Sequence, residues 1–252
     1  MSIRLPISFG LCALLTAIAA GAAADDGNVD LPPTLMTERG RLLLREDFAK
    51  PVVLCSVSAL FDGVIGVVDR DPRFLQHPDG WLLHPGKWEF VDGGIRGSMA
   101  EHHGPIAAYA IGLTNTVCQF DVRLDGARQA FCRFNDAVDH VCRVMITADG
   151  FSAQKDDHDH DGPDLAVPFG TVALPIRRGE WKTVLVEIQG DELVATVDGR
   201  SVAGSDPLLR TLKATIAFGV SGTSASFRHL RIWEAKPHPA WAERRRALST
   251  NR

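Results

Sequence analysis

The sequence predicts an all-β fold, an antiparallel sandwich or jelly roll. Three observations predict it. Short segments repeatedly alternate apolar and polar residues, the period of a strand with one buried and one wet face. Glycine–aspartate pairs separate several of these segments, as tight hairpins with positive φ require. The composition, 45% hydrophobic and 23% charged over 252 residues, is that of a globular chain and sets aside collagen-like, disordered and polytopic membrane classes.

The elements follow in order. Arg4, an apolar run from Leu5 to Ala20, and Ala22-Ala23-Ala24 ahead of Asp25-Asp26 read as a secretory signal peptide over 1–24. The expected location is therefore exported, periplasmic or extracellular. No later run is long and apolar enough for a membrane span. Residues 25–38, with Leu31-Pro32-Pro33, read as a flexible leader, 39–236 as the β domain, and 237–252 as a C-terminal tail with one short helix. Residues 52–86 are apolar but broken by Asp, Gly and Pro, and receive no assignment.

Trp88–Val91 and Ile95–Met99 flank Asp92-Gly93-Gly94 and form a predicted hairpin. Thr116–Leu124 puts Cys118, Phe120, Val122 and Leu124 on one face, and Gln119, Asp121 and Arg123 on the other. Ala130, Cys132 and Phe134 alternate with Phe131, Arg133 and Asn135. Cys142, Val144 and Ile146 alternate with Arg143, Met145 and Thr147. Trp181–Gln189 turns at Gly190-Asp191 into Leu193–Val197, which turns at Asp198-Gly199 into Arg200–Ala203. Thr215–Val220 and Ser226–Trp233 complete the strands. Residues 239–248 read as the helix, with Pro239 in its first turn and Trp241 and Leu248 on one face. The run Arg244-Arg245-Arg246 reads as a solvated helix end or as an anion site.

The net charge of −4 lacks the basic excess of a nucleic-acid binder, so no nucleic-acid partner is expected. Cys55, Cys118, Cys132 and Cys142 allow two disulfides with three pairings in an oxidising compartment, or buried free thiols. No Cys-x-x-Cys or Cys/His zinc spacing occurs among them.

Several strings carry a family resemblance: LLREDF (43–48), KWEFVDGGIRGS (87–98), CQFDVRL (118–124), GEWKTVLVEIQGDELVATVDGRSV (179–202) and IAFGVSGTSASFRHLRIWE (216–234). Together they resemble the bacterial 3-keto-disaccharide hydrolase domain family over about residues 40–236. The resemblance implies a concanavalin-A-like jelly roll whose first strand pairs with its last, and a hydrolase acting on a sugar held on the concave sheet. Two strands depart from the family pattern. GARQAFCRF (126–134) keeps only Arg133, and VCRVMI has Arg143 outward where the family carries Glu-x-Gln. The other reading the residues leave open is a non-catalytic, lectin-like or laminin-G-like glycan-binding module, with or without calcium.

The outward residues of three consecutive strands supply the candidate sugar contacts. If those strands are neighbours, Asp121, Arg133 and Arg143 form one patch, Trp88 covers the apolar side of a ring, and Trp81 and Phe131 are further aromatic candidates. Planar guanidinium and carboxylate groups make paired bonds to vicinal hydroxyls. The bland alternative is a solvated face whose charges pair across strands.

The loop KDDHDHDGPD (155–164) is the densest polar signal. Asp157, Asp159 and Asp161 before Gly162 have the opening spacing of a calcium loop. Pro168 stands where an EF-hand needs Glu, so only a looser calcium site is a candidate. Zinc at His158 and His160, and a plain hydrated loop, are the alternatives. Clustered carboxylates also favour a raised pKa in one of them, so Asp159 and His160 are candidate proton-transfer groups, as is His103 in the Gly/Pro-rich loop after Glu101. No Ser-His-Asp order, phosphate loop, dinucleotide fingerprint or Gly-x-Ser-x-Gly is present.

Overall fold

Period-two alternation folds as the sequence requires. In a computed structural model, described over residues 31–48, 80–83, 86–91, 93–100, 104–159, 162–163 and 165–250, the alternating segments are strands. They make two antiparallel sheets, a jelly-roll sandwich closed by one short C-terminal helix. The signal-peptide segment, Cys55 and most of 52–86 lie outside the described residues, as do His103, His160 and Asp161.

The first sheet contains β1 (Thr37–Glu46), β3 (Lys87–Val91), β4 (Gly94–Ser98), β6 (Thr116–Leu124), β11 (Trp181–Gln189), β12 (Glu192–Val197), β13 (Arg200–Ser205) and β15 (Ser224–Pro237). Its order is β13-β12-β11-β6-β15-β4-β3, with β1 also on β15. The second sheet contains β2 (Trp81–Leu83), β5 (Ile106–Leu113), β7 (Ala127–Asn135), β8 (His140–Thr147), β9 (Gly150–Lys155), β10 (Val167–Ala173) and β14 (Lys213–Gly222). Its order is β10-β9-β8-β7-β14-β5-β2. The first strand does pair with the last: Thr37 lies opposite Pro237 and Glu46 opposite Leu230.

The two predicted turns at Gly190-Asp191 and Asp198-Gly199 are hairpin turns, with φ of 60° at Gly190, 48° at Asp198 and 72° at Gly199. The turn at Asp125-Gly126 behaves differently. It carries the chain from the first sheet to the second. Asp125 N–H donates to Ser224 O, and Thr223 N–H donates to Gly126 O. Each arm therefore finds its ladder partner elsewhere: β6 pairs with β11 and β15, and β7 with β8 and β14.

The inner faces of both sheets make one core. Phe120 and Phe227 come from the first sheet, Phe218 and Trp81 from the second, and all are at most 2% exposed. Phe218 stacks on Phe227 at 4.5 Å and 13° and tilts against Phe120 at 4.9 Å. The C-terminal helix α1 (Trp241–Thr250) begins two residues later than the sequence predicts. Pro239 precedes it, and Trp241 and Leu248 both face β12 and β13. The Trp241 indole donates to Glu192 Oε2 at 2.7 Å. The arginine run is partly structural: Arg244 donates to the carbonyls of Thr34 and Leu35, and Arg245 pairs with Glu192. Among the described residues, no helix is long and apolar enough to cross a membrane.

Cys118, Cys132 and Cys142 are free and fully buried in this core. Of the two possibilities for these cysteines, the structure shows thiols filling small core positions. Burial pushes the Cys132 and Cys142 thiols well up, away from the reactive thiolate. Iodoacetamide at neutral pH should therefore leave all three unmodified in the native protein and alkylate them in urea. Site-resolved mass spectrometry checks this; native labelling of Cys132 at the unfolded rate would contradict the burial.

Near one end of the second sheet, Lys213 is also fully buried. Its ammonium donates to the carbonyls of Thr114 at 2.5 Å, Thr211 at 3.0 Å and Leu209. Burial brings its pKa down to about 8, while the three carbonyls solvate the charged form. The ammonium thus joins the turn after β5, the 3-10 turn Pro207–Arg210 and the start of β14.

Candidate functional site

Because the chain changes sheets at Asp125-Gly126, the expected patch divides. Arg133 and Arg143 are direct cross-strand partners on β7 and β8. Asp121 is on β6, in the other sheet. Inner-face residues flank all three positions, so Asp121 faces away from one side of the sandwich and the two arginines from the other. This corrects the grouping of Asp121 with Arg133 and Arg143. Trp88 is also relocated: its indole donates to Ile106 O at 3.1 Å and its ring lies 6.4 Å from Phe227, so it packs on the core. Trp81 is likewise a core residue. Phe131 alone of the three aromatic candidates lies on the outer face with the arginines.

That outer face is built in rows. One row runs Pro168, Gln154, Arg143, Arg133, Ala217, Ala108 and Leu82 across the second sheet. The next contains Phe131 opposite Gly219. A Cβ at Gly219 would come within 2.0 Å of the Phe131 ring, so glycine is what lets the ring lie on the sheet. The Arg133 guanidinium stands 5.7 Å from the same ring. Leu82, Ile106, Ala108, Ala110 and Ala217 form a buried apolar cluster beside it.

The polar half of the face converges on Asp156. Its carboxylate is buried and accepts from Arg143 Nε at 2.5 Å and Gln154 Nε2 at 2.8 Å, both through Oδ1. Oδ2 is buried and accepts no hydrogen bond. Asp156 N–H donates to Val141 O, which ties the start of the acidic loop to β8. Two like charges directly opposite on neighbouring strands repel, and Asp156 offsets that repulsion from the Arg143 side. The Arg143 guanidinium is held by one nitrogen. Its Nη atoms have no protein partner among the described residues, and the side chain is 27% exposed.

A second network continues at the same end. Asp136 accepts the N–H groups of Val138 and Asp139 on Oδ1 and meets His158 Nε2 at 2.8 Å on Oδ2. His140 Nδ1 meets Asn135 Oδ1 at 3.0 Å, and Asn135 donates to Thr215 Oγ1. An apolar cavity of about 420 Å³ opens beside Asp136, between Ile111, Val138, Leu212 and Ala214. Its lining suits an apolar group rather than hydroxyls.

The start of the acidic loop, through Asp156 and His158, therefore lies at the end of the Arg133/Arg143 face. Asp156 and His158 contact that face, and Asp159 is exposed. Of the candidate calcium ligands, Asp157 and Asp159 are described and Asp161 is not. Among the described residues, no three His, Cys, Asp or Glu side chains come together as a metal set. Gln154, Asp136 and His158 were the contributors that local alternation could not single out. Gln154 continues the outward face one strand further, but Asp136 joins only through the fold.

No family model matches the sequence, and no curated protein matches it. Solved structures do. A carbohydrate-binding module of family 66 from Bacillus subtilis is 16% identical, with TM-score 0.49, over 62% of this chain and 96% of that one. An alginate lyase from Pseudomonas aeruginosa is 13% identical, with TM-score 0.45, over 60% and 87%. An alginate lyase of polysaccharide lyase family 7 is 10% identical, with TM-score 0.45, over 61% and 86%.

Proposed function

We propose that this protein is exported and recognises a carbohydrate on the outer face of the second sheet, centred on Arg143. One observation carries the reading. Asp156 holds the partly exposed Arg143 guanidinium by Nε, so that no protein partner among the described residues takes its planar Nη edge. Paired guanidinium donors match vicinal hydroxyls. Phe131, lying on Gly219 in the adjoining row, supplies an apolar surface for a sugar ring.

The resemblance to 3-keto-disaccharide hydrolases gives a second reading, turnover. It is favoured by the His158–Asp136 pair at 2.8 Å, a proton-transfer couple at the same end of the face. Asp159, His160 and His103 stay candidates for that chemistry, and calcium for the loop.

Calorimetric titration with a panel of glucosides and 3-keto-glucosides tests both readings. Arg143→Met should weaken the best ligand about tenfold or more, since a charge-assisted pair is lost. An unchanged affinity would remove Arg143 from the site, and no binding across the panel would overturn the carbohydrate reading. Sugar release from a 3-keto-glucoside that His158→Gln abolishes, with binding retained, would establish turnover. Binding without release establishes a module.

A further inference from the structure

The outer face of the first sheet carries a constellation that this function does not use. Trp181, Arg123, Ser226, Arg96 and Glu89 form one row across β11, β6, β15, β4 and β3. Thr183, Asp121 and Arg228 form the next. Two guanidiniums share one indole: Arg123 lies 4.6 Å and Arg228 4.1 Å from the Trp181 ring centroid. Each is anchored from behind through Nε, Arg123 on Asp125 at 2.8 Å and Arg228 on Asp121 at 3.1 Å. Neither uses an Nη atom in a protein hydrogen bond among the described residues.

Both carboxylates are otherwise occupied. Asp121 also accepts from Thr183 Oγ1 at 2.7 Å and faces His229 Nδ1 at 2.9 Å. Asp125 also accepts from Ser226 Oγ and lies 3.5 Å from Arg96. Glu89 lies directly opposite Arg96, at the far end of the row from the indole, so the cations nearest Trp181 are Arg123 and Arg228.

The backbone is distorted at this point. The register of β15 against β6 slips between Arg228 and Arg231, and His229 has φ 53°. A bulge re-aims a side chain. Here it lets two consecutive residues, Arg228 and His229, reach the same Asp121 carboxylate. With Nδ1 engaged, the His229 Nε2 has no protein partner among the described residues, and the side chain is 34% exposed. Residues held at unfavoured φ persist when their surroundings over-determine them, and they cluster at functional sites.

We propose that Arg123, Arg228 and His229 form a second ligand site for an oxyanion, a carboxylate or sulfate ester carried on an acidic saccharide. The saccharide part rests on the carbohydrate reading above; the oxyanion part rests on this geometry alone. Two guanidiniums set against one indole repel one another, and an oxyanion at their Nη atoms would offset that repulsion while gaining charge-assisted bonds. His229 Nε2 contributes a third polar contact beside them.

The test titrates the full chain with three probes: a trigalacturonate, a sulfated trisaccharide and a neutral trisaccharide. Binding of at least one acidic probe is expected. Arg228→Gln should weaken it about tenfold, Arg228→Lys less because the charge and indole contact stay, and His229→Asn measurably, since asparagine tolerates the same φ. Arg210→Gln, at an exposed turn by the opposite end of β11 from Trp181, should leave it unchanged. Acidic binding that survives both Arg228 variants, or that falls only with Arg143→Met, overturns the second site, as does the absence of acidic binding. Loss of neutral binding alone would count against the first site and leave this one standing. Arg228→Lys keeps the test decisive if Arg228→Gln fails to fold.

Discussion

Phe218→Ala is expected to lower the unfolding free energy by about 4 kcal/mol, in the range for a buried aromatic truncated to alanine. Phe218 is fully buried on β14. It stacks on Phe227 at 4.5 Å, meets Phe120 at 4.9 Å and lies 6.3 Å from Trp81. Two of those rings belong to the opposite sheet, so the side chain joins the layers at their centre. The space it leaves cannot close easily. Phe120 and Phe227 are flat rings on strands paired along both edges, and shifting one ring would open a gap at the next. The transfer and cavity terms therefore both apply. Urea unfolding reads the change as a lower midpoint with the slope retained. Phe218→Leu should lose less than half as much, because it keeps most of the volume. A loss below about 1.5 kcal/mol for Phe218→Ala would mean that the rings repack, contrary to this account.

Glu187→Ala is expected to cost about 3 kcal/mol, for a different reason. Glu187 is fully buried on the outer side of β11. Its carboxylate accepts the N–H groups of Leu35, Met36 and Thr37 at 2.9, 2.9 and 2.7 Å, and the Thr37 hydroxyl at 2.8 Å. It therefore terminates the main chain entering β1, where no strand offers partners. Alanine strands three backbone donors and one hydroxyl. The chain can rehydrate them only by lifting residues 35–37 off the sheet, which exposes Met36. The Arg244 bonds to Thr34 and Leu35 would be strained by the same movement. Amide exchange at Leu35–Thr37 should accelerate by more than the global loss accounts for. Uniform acceleration across the sandwich, with these three amides unremarkable, would show that the carboxylate does not hold the segment.

The segment also shows how far local reading goes. Proline and polar residues over 25–38 suggest a loose leader, yet Met36 and Thr37 are buried. Nothing near them in the sequence foretells it, because the group that satisfies them is about 150 positions away. The acidic loop divides similarly. Its place at the end of the Arg143 strand was readable from chain order. That Asp156 turns back to the guanidinium while Asp159 faces solvent was not. Arg228 and His229 were hidden for another reason. A bulge breaks the alternation that otherwise assigns a face, and strict period two would have sent the two residues to opposite sides.

Local alternation is enough to say which residues enter the core. A strand's side chains alternate whatever its partners are, so Cys118, Phe120, Cys132, Phe134, Cys142 and Val144 are inward by a local rule. Their burial follows, and so does the two-faced character of each strand. Which outward faces belong together depends on long-range strand pairing. An Asp-Gly turn that returns the chain to its own sheet and one that crosses to the other leave the same alternation on both sides. The choice rests on where the turn's N–H and C=O groups are satisfied. At Asp125-Gly126 they are satisfied by Ser224 and Thr223 on the connection between β14 and β15. That pairing puts Asp121 with His229 and Arg228 on one surface of the sandwich, and Arg133 with Arg143 and Asp156 on the other.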